Sequence, residues 1–181
     1  MEDASKTAAL ILGCRSKKPD INTKGTQRDA SAWKFWTLDK NEWGRPDVEM
    51  VRHGIIRARL PAENPVRCTL HNDGVREAAS DNSTTRSAAA VDLWGDALTG
   101  AVVAIGNAPT ALYRVLELIE GGAAPPAMIA AFPVGFVGAA ESKDALIAHA
   151  PRLGVPYITL KGRRGGSALA AACINGLVGQ P

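Results

Sequence analysis

Cysteine is scarce and unpaired in this sequence. Cys14, Cys68 and Cys173 stand far apart with no C-x-x-C spacing, which excludes a disulfide framework and a thiolate zinc site. Histidine is as sparse, with His53, His71 and His149 scattered along the chain, so no metal centre is expected. No apolar run approaches the roughly eighteen residues that a membrane-crossing helix needs. The short apolar stretch at residues 8–12 is too brief, and its approach too acidic, for a secretory leader. These absences predict a cytoplasmic protein without a membrane partner.

A basic stripe is missing too. The net charge of +3 arises in residues 1–46, where nine Lys or Arg face six Asp or Glu; residues 47–181 carry twelve of each. Nucleic-acid binding needs a basic face on the folded domain, so it is not expected. The same seam near Pro46 separates two compositions. Six of the eight lysines and three of the four tryptophans precede it, in a polar stretch without sustained periodicity. Residues 1–46 therefore read as a weakly ordered extension, with Trp33, Phe35 and Trp36 as a patch that could dock on the domain. Residues 47–181 read as one folded domain.

What is present after the seam is a repeated strand-then-helix pattern. Residues 101–105, 127–132 and 155–160 are short apolar runs suited to buried parallel strands. Leu112, Val115, Leu116 and Ile119 form a helical stripe after Pro109, with Asn107 as expected cap and Gly121-Gly122 as stop. Further helices are expected at residues 141–149 and at 168–177, the latter capped by Ser167. Another starts near Thr84 or Thr85 and continues to Leu98. Residues 47–56 are expected to add a strand or a turn. Successive units of this kind predict a Rossmann-like three-layer α/β/α domain with a mainly parallel sheet.

Ligands of such sheets bind beyond the carboxyl ends of the strands. Three loops there are rich in glycine: residues 106–110, residues 132–142 and residues 161–167, where Arg163 and Arg164 adjoin Gly165-Gly166. Guanidinium forks and helix N-termini suit carboxylates or phosphates, and Thr85, Arg86 and Ser87 form a further anion-friendly start. Each feature alone also reads as a turn former, a solvated charge or a cap. Together they specify an acidic ligand. The dinucleotide fingerprint G-x-G-x-x-G, the Walker loop and the G-x-S-x-G elbow are all absent, which disfavours an oxidoreductase of the nucleotide-binding kind and an α/β-hydrolase.

Five stretches in order carry a resemblance: Arg57-Ala-Arg-Leu-Pro61, Thr84-Thr-Arg-Ser-Ala-Ala-Ala-Val-Asp-Leu-Trp94, Ala104-Ile-Gly-Asn-Ala-Pro-Thr-Ala-Leu112, Phe132-Pro-Val-Gly-Phe-Val-Gly-Ala-Ala-Glu-Ser-Lys143 and Arg163-Arg-Gly-Gly-Ser167. Over about residues 47–178 the chain resembles the C-terminal part of the precorrin-8X methylmutase family. The resemblance implies an isomerase of cobalamin biosynthesis that moves a methyl group from C-11 to C-12 of precorrin-8X, or of its cobalt-bearing counterpart, giving hydrogenobyrinic acid. It implies a homodimer and no separate cofactor. Thr85, Arg86 and Ser87 would contact substrate carboxylates, and Gly106, Asn107 and Thr110 would line the macrocycle pocket. Arg163, Arg164 and Ser167 would flank it. The family's N-terminal half, with a histidine that is thought to protonate the corrin, has no counterpart in this sequence. His53 is the one substitute nearby, and the alternative expectation is a truncated corrinoid-binding remnant without catalysis.

Overall fold

The computed structural model describes residues 10–13, 44–60 and 64–178. Five strands form one sheet: β1 (Leu10–Gly13), β2 (Gly44–Pro46), β3 (Val102–Ile105), β4 (Met128–Ala131) and β5 (Tyr157–Leu160), in the order β1-β5-β4-β3-β2. The β2–β3, β3–β4 and β4–β5 pairs are parallel, and β1 closes the far edge antiparallel to β5. Two of these strands, β1 and β2, fall inside the segment 1–46 that was expected to be weakly ordered, so the sheet reaches across the compositional seam. Pro46, which has no N–H to give a ladder, sits in a strand at the sheet edge, where proline is tolerated. The expected aromatic patch at Trp33, Phe35 and Trp36 lies outside the described residues.

Alternation along the strands builds two cores. Val103, Ile105, Ile129, Ala131 and Tyr157 point to one face, under α4 (Pro109–Glu120) and α5 (Ala139–Leu153). Ala104, Met128, Ala130 and Ile158 point to the other, under α1 (Glu49–Gly54) and α6 (Ser167–Leu177). Since successive residues of a strand face opposite ways, one short apolar run feeds both layers. The result is the expected α/β/α sandwich. A smaller cluster joins α2 (Val75–Asp81) to α3 (Arg86–Asp92).

Several local expectations are corrected. Residues 49–54 are helical, because Val51 and Ile55, four apart, bury together against α6. The helix starting after Thr85 stops at Asp92; Gly95, at φ 47°, takes the left-handed region and a short 3-10 turn follows at Gly95–Leu98. Helix α5 begins earlier and runs longer than expected, from Gly138 in the left-handed region to Gly154 in the same region. Neither Asn107 nor Ser167 caps a helix. Ala108 precedes α4 and Gly166 precedes α6, both without a side-chain cap bond. Thr85 does cap α3, accepting from the Ala88 N–H.

Candidate functional site

The loop after β3 owes its shape to a residue sixty positions away. Asp47 leaves the end of β2 with its carboxylate buried beneath residues 106–108. Its Oδ1 accepts from the Gly106 N–H at 2.8 Å, and its Oδ2 accepts from the N–H groups of Asn107 and Ala108, each at 2.9 Å. The three N–H groups of the loop leading into α4, a cradle that an external anion could otherwise use, are thus already occupied by the protein's own carboxylate. Burial pushes the Asp47 carboxyl above its usual range, while the three N–H bonds pull against that shift. No local pattern marks Asp47 as functional, since its partners come from another strand.

Four loops converge at the carboxyl ends of the parallel strands. The Thr85 hydroxyl donates to the Thr110 hydroxyl at 2.7 Å, joining the starts of α3 and α4. A Cβ on Gly138 would touch Pro109, so the loop after β4 lies against the start of α4. Phe132 accepts from the Gly166 N–H at 2.7 Å, and a Cβ on Gly165 would lie 2.2 Å from the Phe132 carbonyl oxygen. A Cβ on Gly106 would lie 2.6 Å from the Ser167 Cα. These two glycines are therefore required by close backbone approach, which fastens the loops after β3, β4 and β5 together.

The sequence-derived residues divide accordingly. Thr85, Gly106, Asn107, Thr110 and Ser167 lie within this joined set of loops, and Arg86, Ser87, Arg163 and Arg164 extend from it. Arg86, Arg163, Arg164 and Asn107 are exposed, whereas Ser87 and Thr110 are half-buried; Ser167 is buried against Gly106. The loop after β4 adds what sequence reading had not singled out: Phe136 and Val137 are 85% and 89% exposed, an unusual display of large apolar side chains on a loop whose start packs against Gly165. A cleft of about 550 Å³ opens between α3 and α4, lined by Thr84, Ala88, Asp92, Thr110, Tyr113 and Glu117 among others. Its Arg114 is already committed to Asp92 and Glu117, at 2.6 and 2.9 Å.

His53 stands apart. It is exposed at the end of α1, beside Glu49 and Arg52. The adjoining Gly54 carbonyl accepts from Asn175, eight residues after Ser167 on α6. A Cβ on Gly54 would also meet Ala171, four residues after Ser167, so with a rise of about 1.5 Å per residue these contacts lie about 6–12 Å along α6 from the loop cluster. Among the described residues no group of three or more His, Cys, Asp or Glu could hold a metal, and no helix is long and apolar enough to cross a membrane.

The class defined by the fold is a parallel α/β/α sandwich, with glycine-fastened loops that present exposed arginines and bare apolar side chains beyond the strand ends. The family profile of precorrin-8X methylmutase matches residues 45–180, and the chain belongs to that family. It is 56% identical over 131 residues to the precorrin-8X methylmutase of a Sinorhizobium species, covering 72% of this chain and 61% of that protein. The Pseudomonas aeruginosa precorrin-8X methylmutase is 54% identical over 131 residues, covering 72% and 62%. A cobalt-precorrin-8 methylmutase from Methanothermobacter thermautotrophicus is 39% identical over 132 residues, covering 73% and 59%. The matched part thus spans about three fifths of these relatives' length. Two solved structures share the fold: a precorrin-8X methylmutase related protein, with a TM-score of 0.73, 30% identity and coverage of 93% and 80%, and the precorrin-8X methylmutase of Thermus thermophilus, with 0.68, 33%, 84% and 73%.

Proposed function

We propose that this protein is an isomerase of corrin biosynthesis, moving the methyl group of precorrin-8X from C-11 to C-12 to yield hydrogenobyrinic acid. The observation that carries this reading is the coincidence of family and geometry. The 56% identity to a precorrin-8X methylmutase accompanies a loop cluster whose chemistry suits an apolar macrocycle fringed with carboxylates. Exposed Arg86, Arg163 and Arg164 offer bidentate partners to carboxylates, and Phe136 and Val137 offer an apolar face to the ring. Thr85, Ser87, Asn107 and Thr110 supply neutral donors and acceptors between them, with Gly106 and Ser167 shaping the floor. The family resemblance implies that no separate cofactor enters this reaction.

Residues 47–181 carry this activity as one α/β domain, with the strands Leu10–Gly13 and Gly44–Pro46 at the two edges of its sheet. The assembly is a homodimer, and the compartment is the cytoplasm, where corrinoid intermediates are made. The test is to incubate the purified chain with precorrin-8X and follow its absorption spectrum. Conversion to the hydrogenobyrinic acid spectrum is expected. Tight binding without conversion would overturn the isomerase reading in favour of a corrinoid-binding remnant, and absence of binding would overturn both.

A further inference from the structure

Lys143 lies on the inner side of α5 with its side chain fully buried. A buried ammonium costs several kcal/mol unless its surroundings compensate. Among the described residues no carboxylate pairs with it in a salt bridge; its one hydrogen bond runs from Nζ to the backbone carbonyl of Arg164, at 2.6 Å. A merely space-filling position there would favour methionine or leucine. The partner explains the cation better than the packing does. Arg164 belongs to the loop after β5, and that loop is held at three consecutive residues. Lys143 grips the carbonyl of Arg164, Gly165 packs against the carbonyl oxygens of Phe132 and Pro133, and the Gly166 N–H donates to Phe132. The Arg163 and Arg164 side chains remain exposed on this fixed backbone.

We infer that Lys143 is a positioning residue: its ammonium anchors the Arg164 peptide so that the two neighbouring guanidinium groups are presented in a fixed arrangement to an acidic ligand. The assignment rests on the corrinoid reading proposed above for the identity of that ligand, but the anchoring itself does not. A preset loop loses less conformational entropy when it binds, which is where an anchor beneath the loop acts on affinity.

The experiment uses the full chain and Lys143→Met, which keeps the length of the stem and removes the charge, with Lys143→Gln as a second variant that keeps a donor. Backbone amide hydrogen exchange is measured without ligand across residues 162–166, and affinity is measured with hydrogenobyrinic acid as the probe. Lys143→Met is expected to accelerate exchange in this loop about tenfold and to weaken the probe about tenfold, the size of a lost charged hydrogen bond. Lys143→Gln is expected to fall between parent and Met variant. In an Arg163→Ala/Arg164→Ala background the affinity effect of Lys143→Met should vanish, since nothing remains to be positioned. Unchanged loop exchange in folded Lys143→Met overturns the inference, and so does an equal affinity loss in both backgrounds. A parent chain that fails to bind the probe while loop exchange still responds to Lys143→Met overturns the corrinoid reading and leaves the anchor standing.

Discussion

The carboxylate of Asp47 lies 2.8 Å from the Gly106 N–H and closes the loop after β3 from beneath, acting as a helix cap supplied by a neighbouring strand. Removing it should leave N–H groups at Gly106 and Ala108 buried without acceptors, at about 1–3 kcal/mol each. Asp47→Ala is therefore expected to lower the unfolding free energy by at least about 2 kcal/mol in urea titration. Asp47→Asn should be similarly damaging, because its amide turns a donor toward donors. A variant as stable as the parent would show that the loop holds itself.

Thr85 and Arg86 adjoin at the start of α3 but should fail in different ways. Thr85 caps the helix and donates to Thr110, so Thr85→Ala should cost about 1 kcal/mol of stability. Arg86 is exposed, so Arg86→Ala should leave the thermal midpoint unchanged and weaken hydrogenobyrinic acid by about 1.5–3 kcal/mol. Calorimetric titration against unfolding curves separates the two. Equal affinity for parent and Arg86→Ala would remove Arg86 from the binding set.

His53 is exposed at the end of α1, beside Glu49 and Arg52 rather than among the loops proposed to bind substrate. In the spectral assay with precorrin-8X, His53→Ala is expected to convert substrate within about twofold of the parent rate, where loss of a true general acid costs about 10²–10⁴-fold. A collapse in rate would make His53 the proton donor and require α1 to move.

Burial pushes the thiols of Cys68 and Cys173 up to about 11. Thiolate, not thiol, is the nucleophile, so peptides carrying these residues should resist iodoacetamide in the native protein near neutral pH and react as the pH climbs toward 11. Because the folded values exceed the ordinary 9.0, the stability each thiol contributes is fully present below pH 9.0 and is lost as pH rises through about 11. Rapid labelling of either peptide at neutral pH would contradict this burial.

Much of the architecture was legible from local pattern. The apolar runs ending in Gly106 and Pro133 located strands β3 and β4, and the stripe from Leu112 to Ile119 located α4, because burial on one or two faces imposes a period that survives in sequence. The helix at Glu49–Gly54 was less visible, since six residues are too few to show a period. Strand β1 escaped because four residues of an antiparallel edge carry almost no signal before their partner is known. Thr85 was readable as a cap, as its bond is three residues away; the true partner of the Gly106–Ala108 amides was not, because Asp47 is some sixty residues distant.

By itself, then, the sequence determined the αβ layering, the glycine-rich loops beyond the strand ends and the family to which those loops belong, all properties of residues close together in the chain. Only the tertiary structure decided that Asp47 fills the amide cradle of α4, that Lys143 sits beneath Arg164, and that His53 stands away from the loops. A buried carboxylate or ammonium is stabilised by whichever groups folding brings within hydrogen-bond reach, and chain separation says nothing about that distance.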